Sequence, residues 1–330
     1  LTLKVLLSNL IWIHIKLDKR TFNVNEEMTV KNLDNFSKNI KGKLRFDYSL
    51  KNHTWFNIGG NAKVFFVPET LSELRDFLLY IKRNNNNFFI IGAGSNLLIS
   101  ENIQNRIFIK LGKNFNKISL TKDNVIIAGC SILDKNVSSF ACENELGGLE
   151  FLSCIPGTIG GGIRMNSGCF GTEFKDLLLS VQVMDFNGRV YTINSKDINF
   201  DYRKTDLSRN LIFLSASFKT YKKNKSEIEE NILRLKEKKE NSQPLRVKTG
   251  GSTFKNPKIQ TEKKVWELIK ESVDSQVSFG DAKISDKHSN FFINSKNASF
   301  ENMYNLINFV KSKVKEKTGI TLELELEIVN

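Results

Sequence analysis

The stretch that decides the fold is NFFIIGAGSNLLI, residues 87–99. Two apolar runs flank the small residues Gly-Ala-Gly-Ser-Asn, which predicts a strand, a tight turn and a second strand. Before it, Thr70 and Glu73 form a capping box, and apolar residues then recur at helical spacing, so 71–83 is predicted to be an amphipathic helix. This alternation indicates a mixed α and β architecture.

Strands and helices continue to alternate along the rest of the chain, without an internal repeat. The further predicted elements are a strand over 124–130, a hairpin over 181–193 that turns at Asn187-Gly188, a charged helix over 225–240 opened by a capping box of Ser226 and Glu229, a helix that ends at Gly319, and a strictly alternating strand over 321–329. We therefore predict the α+β class.

Length and charge limit the classes of function. The chain has 330 residues, 40% of them hydrophobic, which is enough for two or three packed domains. Its formal net charge is +13. Its lysines are scattered, and the one dense run, RLKEKKEN at 234–241, alternates in sign as a solvated helix face does. Nucleic-acid binding is therefore not predicted, although a basic surface would attract an anionic substrate.

Cysteine and histidine spacing predicts no metal site. The four cysteines, Cys130, Cys142, Cys154 and Cys169, show neither C-x-x-C spacing nor the density of a disulfide scaffold, and are interpreted as reduced and mostly structural. The apolar stretch within residues 1–20 is interrupted by polar residues and is too short to span a bilayer, so no membrane segment is predicted there.

Two glycine-rich loops could approach a phosphate closely. They are GAGSN at 92–96 and PGTIGGGIRMNSG at 156–168, and neither has Walker A spacing or opens a helix as G-x-G-x-x-G does. Glycine allows backbone N–H groups to approach an anion that a Cβ would hold away. Two such loops fit one extended dinucleotide.

A third bare stretch, RVKTGGSTFKNP at 246–257, places Ser252 directly after two glycines. A surface turn explains this window equally well, because Gly, Ser, Asn and Pro are ordinary loop residues. The other motifs favour a functional hydroxyl.

Taken together, these motifs resemble those of the UDP-N-acetylenolpyruvoylglucosamine reductase family from about residue 45 to the C-terminus. The resemblance rests on NHTWFNIGG (52–60), GAGSNLLI (92–99), IPGTIGGGIRMNSGCFG (155–171), DYRKTD (201–206), GGSTFKNP (250–257) and KISDKHSNFFIN (283–294). The short segment between the fourth and fifth motifs is similar to the subtype that lacks an inserted tyrosine-bearing loop. The resemblance is imperfect at Cys154 and at Cys169-Phe170.

The resemblance implies a three-domain flavoenzyme with a vanillyl-alcohol-oxidase-type FAD-binding fold. The implied divisions are an N-terminal extension (1–44), a first FAD-binding subdomain (45–112) joined by the C-terminal strand (319–330), a second FAD-binding subdomain (113–224) and a substrate domain (225–318). FAD would be bound non-covalently. The residues implied to line it are Asn57, Gly59, Gly60, Gly92, Ala93, Gly94, Ser95, Asn96, Leu97, Pro156, Gly157, Thr158, Gly160, Gly161 and Asn166.

The implied reaction is the NADPH-dependent reduction of UDP-N-acetylglucosamine enolpyruvate in peptidoglycan precursor synthesis. Ser252 is expected to protonate C2 after hydride reaches C3, and Arg203 to stabilise the substrate carboxylate. Glu325 matches the remaining active position, although spacing alone cannot separate it from Glu323 and Glu327.

Lys255, Asn256 and Gln243 are expected to contact the substrate. A cytoplasmic enzyme, with a monomer favoured, is expected. The alternative is an FAD-dependent sugar or alcohol oxidase of the same fold, which would not need Ser252 or Glu325.

Overall fold

The structure, a computed structural model, describes residues 33, 36–38, 40–84, 86–103 and 106–330. The prediction made for residues 1–20 lies outside these residues. Within them, no helix combines the length and the apolar character needed to cross a bilayer.

The described residues form three sheets of four or five strands. The first sheet is mixed and has the order Lys43–Ser49, Asn61–Val67, Ile107–Ile109, Phe88–Ile90. The second sheet is antiparallel, in the order Val190–Asn194, Leu178–Met184, Ile212–Lys219, Val125–Gly129, Ile118–Leu120. The third sheet is also antiparallel, in the order Lys248–Ser252, Phe291–Asn294, Ala282–Ile284, Ser278–Phe279.

Short two-stranded ladders connect the larger sheets. Leu97–Ile99 pairs in parallel with Glu327–Val329 near the C-terminus. The other ladders are antiparallel: Gly168–Cys169 with Thr172–Glu173, Phe200–Asp201 with Lys204–Thr205, and Leu146–Gly147 with Tyr221–Lys222.

Helices cover the apolar faces of the sheets, because each sheet has a face that must be removed from water. The α-helices are Leu71–Arg83, Asp134–Glu143, Ile159–Arg164, Phe174–Leu177, Lys225–Ser242, Val265–Ser272 and Phe300–Thr318. The first packs in the core of the first sheet, the second in that of the second sheet, and the last two in that of the third sheet. The content of helix and sheet confirms the predicted α+β class.

Most predicted elements are present at their predicted places. The helix Leu71–Arg83 begins with the expected capping box, in which Thr70 accepts from the Glu73 N–H and the Glu73 side chain accepts in return. The helix Phe300–Thr318 ends at Gly319, whose φ of +75° is left-handed. The predicted turn at 92–96 lies between strands that belong to different ladders, Phe88–Ile90 and Leu97–Ile99.

Two details of the predicted elements were wrong. The charged helix begins at Lys225 after Asn224, without a side-chain cap, so Ser226 lies inside its first turn and does not form the predicted capping box with Glu229. Only Glu327–Val329 is a strand at the C-terminus. The residues before it leave the alternating conformation because their backbone bonds to the segment after Ser252 instead.

Residues of the predicted N-terminal extension (1–44) form part of the core of the first sheet. Leu33 and Phe36 are buried and pack with the first sheet and its helix, so the described part of the predicted extension contributes to that core. The helix Lys225–Ser242 packs against the 3-10 helix Glu150–Cys154 of the second predicted subdomain. The domain boundaries themselves remain predictions.

Candidate active site

The glycines before Ser252 determine where its hydroxyl lies. The strand Lys248–Ser252 changes register before its last residue, which is the geometry of a β-bulge. A Cβ on Gly250 would lie 2.5 Å from Phe56 Cε2, and Gly251 has a φ of +80°, so larger residues would be hindered at either position. The bulge leaves Ser252 half-buried at the end of the strand.

The segment after Ser252 is held on two sides. The Asn290 side chain accepts from the Phe254 N–H at 3.0 Å and donates to the Phe254 carbonyl at 2.9 Å. The Thr253 carbonyl accepts from the Glu325 N–H at 3.0 Å. The serine and the C-terminal glutamate are therefore fixed relative to one another through the backbone.

Glu325 is distinguished from its neighbours by its partner. Arg203 Nε donates to Glu325 Oε1 at 3.0 Å, and both side chains are largely buried. Glu323 is exposed, and Glu327 pairs with the exposed Arg209. The structure thus places Glu325 with Arg203 and the Ser252 segment, while its catalytic role remains a prediction.

Arg203 lies at the turn of a two-residue hairpin with a φ of +59°, which is uncommon for a residue other than glycine. Its Nη2 donates to the Gly168 carbonyl at 3.2 Å, and its Nη1 lies 3.7 Å from Glu173 Oε1. Its guanidinium carbon is 5.0 Å from the centre of the Tyr202 ring. These contacts fix both the plane and the position of the cation.

Burial raises the pKa of Glu325 above its ordinary value, although Arg203 and Lys255 oppose the shift. Loss of hydration disfavours the charged form of a carboxyl, whereas nearby cations favour it. The ion pair between Glu325 and Arg203 is therefore complete only at a higher pH than an exposed glutamate would require.

A cavity of about 440 Å³ opens beside Arg203 and is rich in charged groups. Lys175 and Lys258 line it together with Glu173 and Tyr202, and Lys258 Nζ is 4.1 Å from the centre of the Tyr202 ring. The sequence reasoning did not select Glu173, Tyr202 or Lys258. Tyr202 and Lys258 adjoin selected motifs, but nothing in the local spacing shows that they meet.

The two glycine-rich loops lie together. A Cβ on Gly92 would be 2.6 Å from Thr158 Oγ1, so the first loop contacts the second directly. Within the part of the chain that the structure describes, the backbone N–H groups of residues 92–96 donate no hydrogen bond. Free N–H groups on a turn of small residues are the donors that a pyrophosphate requires, so the loop fits the dinucleotide part of FAD.

The segment NHTWFNIGG adjoins the first loop. Trp55 N–H donates to the Gly94 carbonyl at 3.0 Å, and Gly60 N–H donates to the Ser100 carbonyl at 3.1 Å. Asn57 has a φ of +56° and Gly59 lies beside it in the same turn. The segment that contains the predicted FAD-binding residues Asn57, Gly59 and Gly60 is thus joined to the loop at 92–96 through Trp55.

Asn166 has a structural task that the sequence did not indicate. It is fully buried, and its amide donates to Glu173 at 3.0 Å and to the Asp201 carbonyl at 3.1 Å. Its side-chain oxygen Oδ1 accepts from the Lys175 N–H at 3.1 Å. The side chain therefore organises the surroundings of Arg203, while contact of Asn166 with FAD remains a prediction.

Known proteins with similar sequences resemble this chain over most of its length. Residues 62–194 match the family model of an FAD binding domain, and residues 243–329 match that of the UDP-N-acetylenolpyruvoylglucosamine reductase C-terminal domain. The UDP-N-acetylenolpyruvoylglucosamine reductase of Pelagibacter ubique is 55% identical over 304 residues, which are 92% of this chain and 100% of that protein. The chain belongs to the UDP-N-acetylenolpyruvoylglucosamine reductase family.

Two further relatives support the same family assignment. The UDP-N-acetylenolpyruvoylglucosamine reductase of Rickettsia prowazekii is 41% identical over 87% of this chain and 96% of its own length. A crystal structure of the Thermus caldophilus enzyme of the same name superposes with a TM-score of 0.75 at 28% identity, covering 88% of this chain and 100% of that one. The resemblance read from the motifs is confirmed.

The three residues predicted to contact the substrate in this reductase family have different surroundings in the structure. Lys255 lies close enough to Glu325 to influence its pKa. The Asn256 side chain accepts from the Val265 N–H at 3.0 Å and so supports the start of a helix. Gln243 ends the helix Lys225–Ser242. Contact of these three residues with substrate remains a prediction.

The close approach at Gly94 gives a test of the FAD loop. Its φ is +69°, and a Cβ there would lie 1.8 Å from the His53 carbonyl oxygen. We expect Gly94→Ala to displace the loop and to lower the FAD content of the purified protein, measured from the ratio of visible to ultraviolet absorbance.

The matched control for Gly94→Ala is Gly319→Ala. Gly319 also has a positive φ, +75°, but no atom lies within 4 Å of a Cβ built there. It should keep its FAD. Equal FAD content in the two variants would show that the close approach at residue 94 does not matter.

Proposed function

We propose that this chain reduces UDP-N-acetylglucosamine enolpyruvate to UDP-N-acetylmuramate, with FAD and NADPH, in peptidoglycan precursor synthesis. The observation that carries the proposal is the connection of Arg203 to Glu325 at 3.0 Å and of Glu325 to the Ser252 segment. These residues lie far apart in sequence, and Arg203 lines a cavity that also contains Lys175 and Lys258.

When bound, FAD would supply the hydride chemistry, taking hydride from NADPH and giving it to C3 of the enolpyruvyl group. The loops at 92–96 and 156–166 and the turn at 57–60 are the residues proposed to hold it. Their contact with one another supports one binding cleft, and the free N–H groups at 92–96 support a pyrophosphate there.

Ser252 is proposed to donate the proton that C2 requires after hydride addition. A serine hydroxyl is a weak acid in water, so it acts only where its position is fixed and cations favour its ionised form. The bulge at Gly250 and Gly251 and the backbone bond to Glu325 support the fixed position. Lys255, three residues further on, supports the positive surroundings.

Arg203 is proposed to bind the substrate carboxylate as negative charge moves onto it. The planar guanidinium offers paired donors to a carboxylate, and its contacts with Glu325 and Gly168 keep it oriented before substrate arrives. The diphosphate of the UDP-sugar is proposed to lie towards Lys175 and Lys258 in the adjoining cavity.

The ion pair predicts a pH dependence of the step that consumes the enolpyruvyl substrate. Glu325 must be ionised to hold Arg203, and burial raises its pKa above the ordinary value of 4.5. The rate of flavin reoxidation should therefore fall on acidification at a pH above the usual carboxyl range. Stopped-flow measurements across pH would locate this decline.

In Glu325→Gln the reaction should be slower and the acid decline should disappear, because the amide does not titrate. Glu327→Gln is the matched control, since Glu327 pairs with the exposed Arg209 and should leave the decline in place. An unchanged decline in Glu325→Gln would assign it to another group.

An anaerobic two-step experiment tests the proposed function. NADPH is added to the purified flavoprotein until the visible absorbance is lost, and UDP-N-acetylglucosamine enolpyruvate is then added. Rapid return of the absorbance supports the reductase. Return only when oxygen is admitted would contradict it and favour the sugar or alcohol oxidase.

We further propose that the chain acts in the cytoplasm as a monomer. The nucleotide substrates of the proposed reaction support the location, and gel filtration with light scattering would measure the molar mass.

A further inference from the structure

Cys154 and Cys169 meet near the candidate active site. Cys154 is the last residue of the 3-10 helix Glu150–Cys154, and the short strand Gly168–Cys169 packs against that helix. The two thiols lie close enough for each to shift the pKa of the other. Cys154 is buried, whereas Cys169 is partly exposed and lines the cavity beside Arg203.

The surroundings of Cys154 favour its thiolate form. The neighbouring Cys169 thiol lowers the pKa of Cys154, and Ser153, whose Oγ is 3.7 Å from Cys154 Sγ, contributes in the same direction with Lys239 and Lys236 against burial. Lys239 Nζ also donates to the Cys154 carbonyl at 2.8 Å. The neighbouring Cys154 and burial raise the pKa of Cys169.

The other two cysteines provide a contrast. Cys130 and Cys142 are both buried, and burial raises the pKa of each thiol. A buried thiol with a raised pKa is a poor nucleophile, because the thiolate is the reactive form. The predicted structural role fits these two cysteines and not the pair at 154 and 169.

We propose that Cys154 and Cys169 form a reversible disulfide when the protein meets a hydroperoxide. The Cys154 thiolate attacks hydrogen peroxide, the O–O bond breaks, and with one proton taken up the products are a sulfenic acid and water. The Cys169 sulfur then attacks the sulfenic sulfur, and its thiol proton leaves with the hydroxyl as a second water. The sulfurs lose two electrons in total, and the peroxide gains them.

The bridge would reach the proposed site through two short segments. Cys154 lies two residues before Pro156, where the second glycine-rich loop begins. Cys169 follows Gly168, whose carbonyl accepts from Arg203 at 3.2 Å. Drawing the sulfurs to bonding distance displaces this partner of Arg203, so oxidation should lower activity, a consequence that rests on the proposed function.

Mass spectrometry of the full-length flavoprotein tests the chemistry without measuring activity. After hydrogen peroxide treatment, the wild-type chain should lose the mass of two hydrogen atoms, and non-reducing peptide mapping should join Cys154 to Cys169. Cys142→Ser should form the same bridge, whereas Cys154→Ser and Cys169→Ser should not. Oxygen addition without a bridge, or a bridge to Cys130 or Cys142, would overturn the proposal.

Activity is measured on the same samples, each relative to its own untreated protein. The wild-type rate of flavin reoxidation should fall in proportion to the bridged fraction and recover with dithiothreitol, while Cys154→Ser should show no such reversible loss. A disulfide that forms without changing the rate would contradict the proposed effect of the disulfide on Arg203. If the protein did not catalyse the reductase reaction at all, the mass measurement would still test the disulfide. Failure of the proposed function can therefore be distinguished from failure of the disulfide proposal.

Discussion

Ser252→Ala is expected to slow reoxidation of the reduced flavin by the enolpyruvyl substrate about 10²–10⁴-fold, the usual range for loss of a positioned acid. Reduction by NADPH should continue at the wild-type rate, because the hydroxyl is proposed to act only on C2 of the second substrate. Ser252 is half-buried and the change removes one oxygen atom, so the fold should be retained. Anaerobic stopped-flow absorbance measures the two half-reactions separately.

The control for Ser252→Ala is Ser278→Ala, on the exposed edge strand of the same sheet. It should leave both half-reactions unchanged. If Ser252→Ala reoxidised at the wild-type rate with the enolpyruvyl substrate, the proton would have to come from another group. If it lost both half-reactions together, the change would have disturbed flavin binding and not proton transfer.

Arg203→Gln should lower kcat/KM for the enolpyruvyl substrate about 10²–10³-fold, as expected when one preorganised donor to a developing anion is removed. The change also removes the cation that opposes the upward pKa shift of Glu325, so the carboxyl should protonate at a still higher pH. The step with NADPH should be little affected. Steady-state rates with each substrate varied in turn measure this difference.

Arg209→Gln is a close comparison for Arg203→Gln because Arg209 also pairs with a glutamate of the same C-terminal segment. Its side chain is 81% exposed, and surface ion pairs are worth about 0–1 kcal/mol. It should have nearly wild-type kinetics. Similar losses in the two variants would mean that the effect comes from the general charge of the surface and not from the fixed position of Arg203.

Local bonding explains which helix starts could be predicted. The capping box of Thr70 and Glu73 is made within four residues, so the pattern and the structure agree. The same spacing at Ser226 and Glu229 did not mark a cap, because the N-cap of the helix is Asn224, two residues before Ser226. A cap pattern predicts that a helix is near, but several nearby residues can occupy the first turn.

The sequence by itself determined the family and the α+β class, and it identified the segments that are proposed to carry the site. Glycine-rich turns and the motifs around Ser252 and Arg203 are local patterns, which can be recognised from the sequence alone. The sequence did not predict which loops contact each other, because the approach of Gly92 to Thr158 depends on how separate elements pack.

Only the tertiary structure shows a physical difference between Glu325 and its neighbours Glu323 and Glu327. A regular strand would present all three on one face, since side chains alternate with a period of two. Backbone bonds to Thr253 interrupt that strand, and Arg203, 122 residues away in the chain, pairs with Glu325 at 3.0 Å. The choice depends on contacts between distant segments, which spacing within nine residues does not contain.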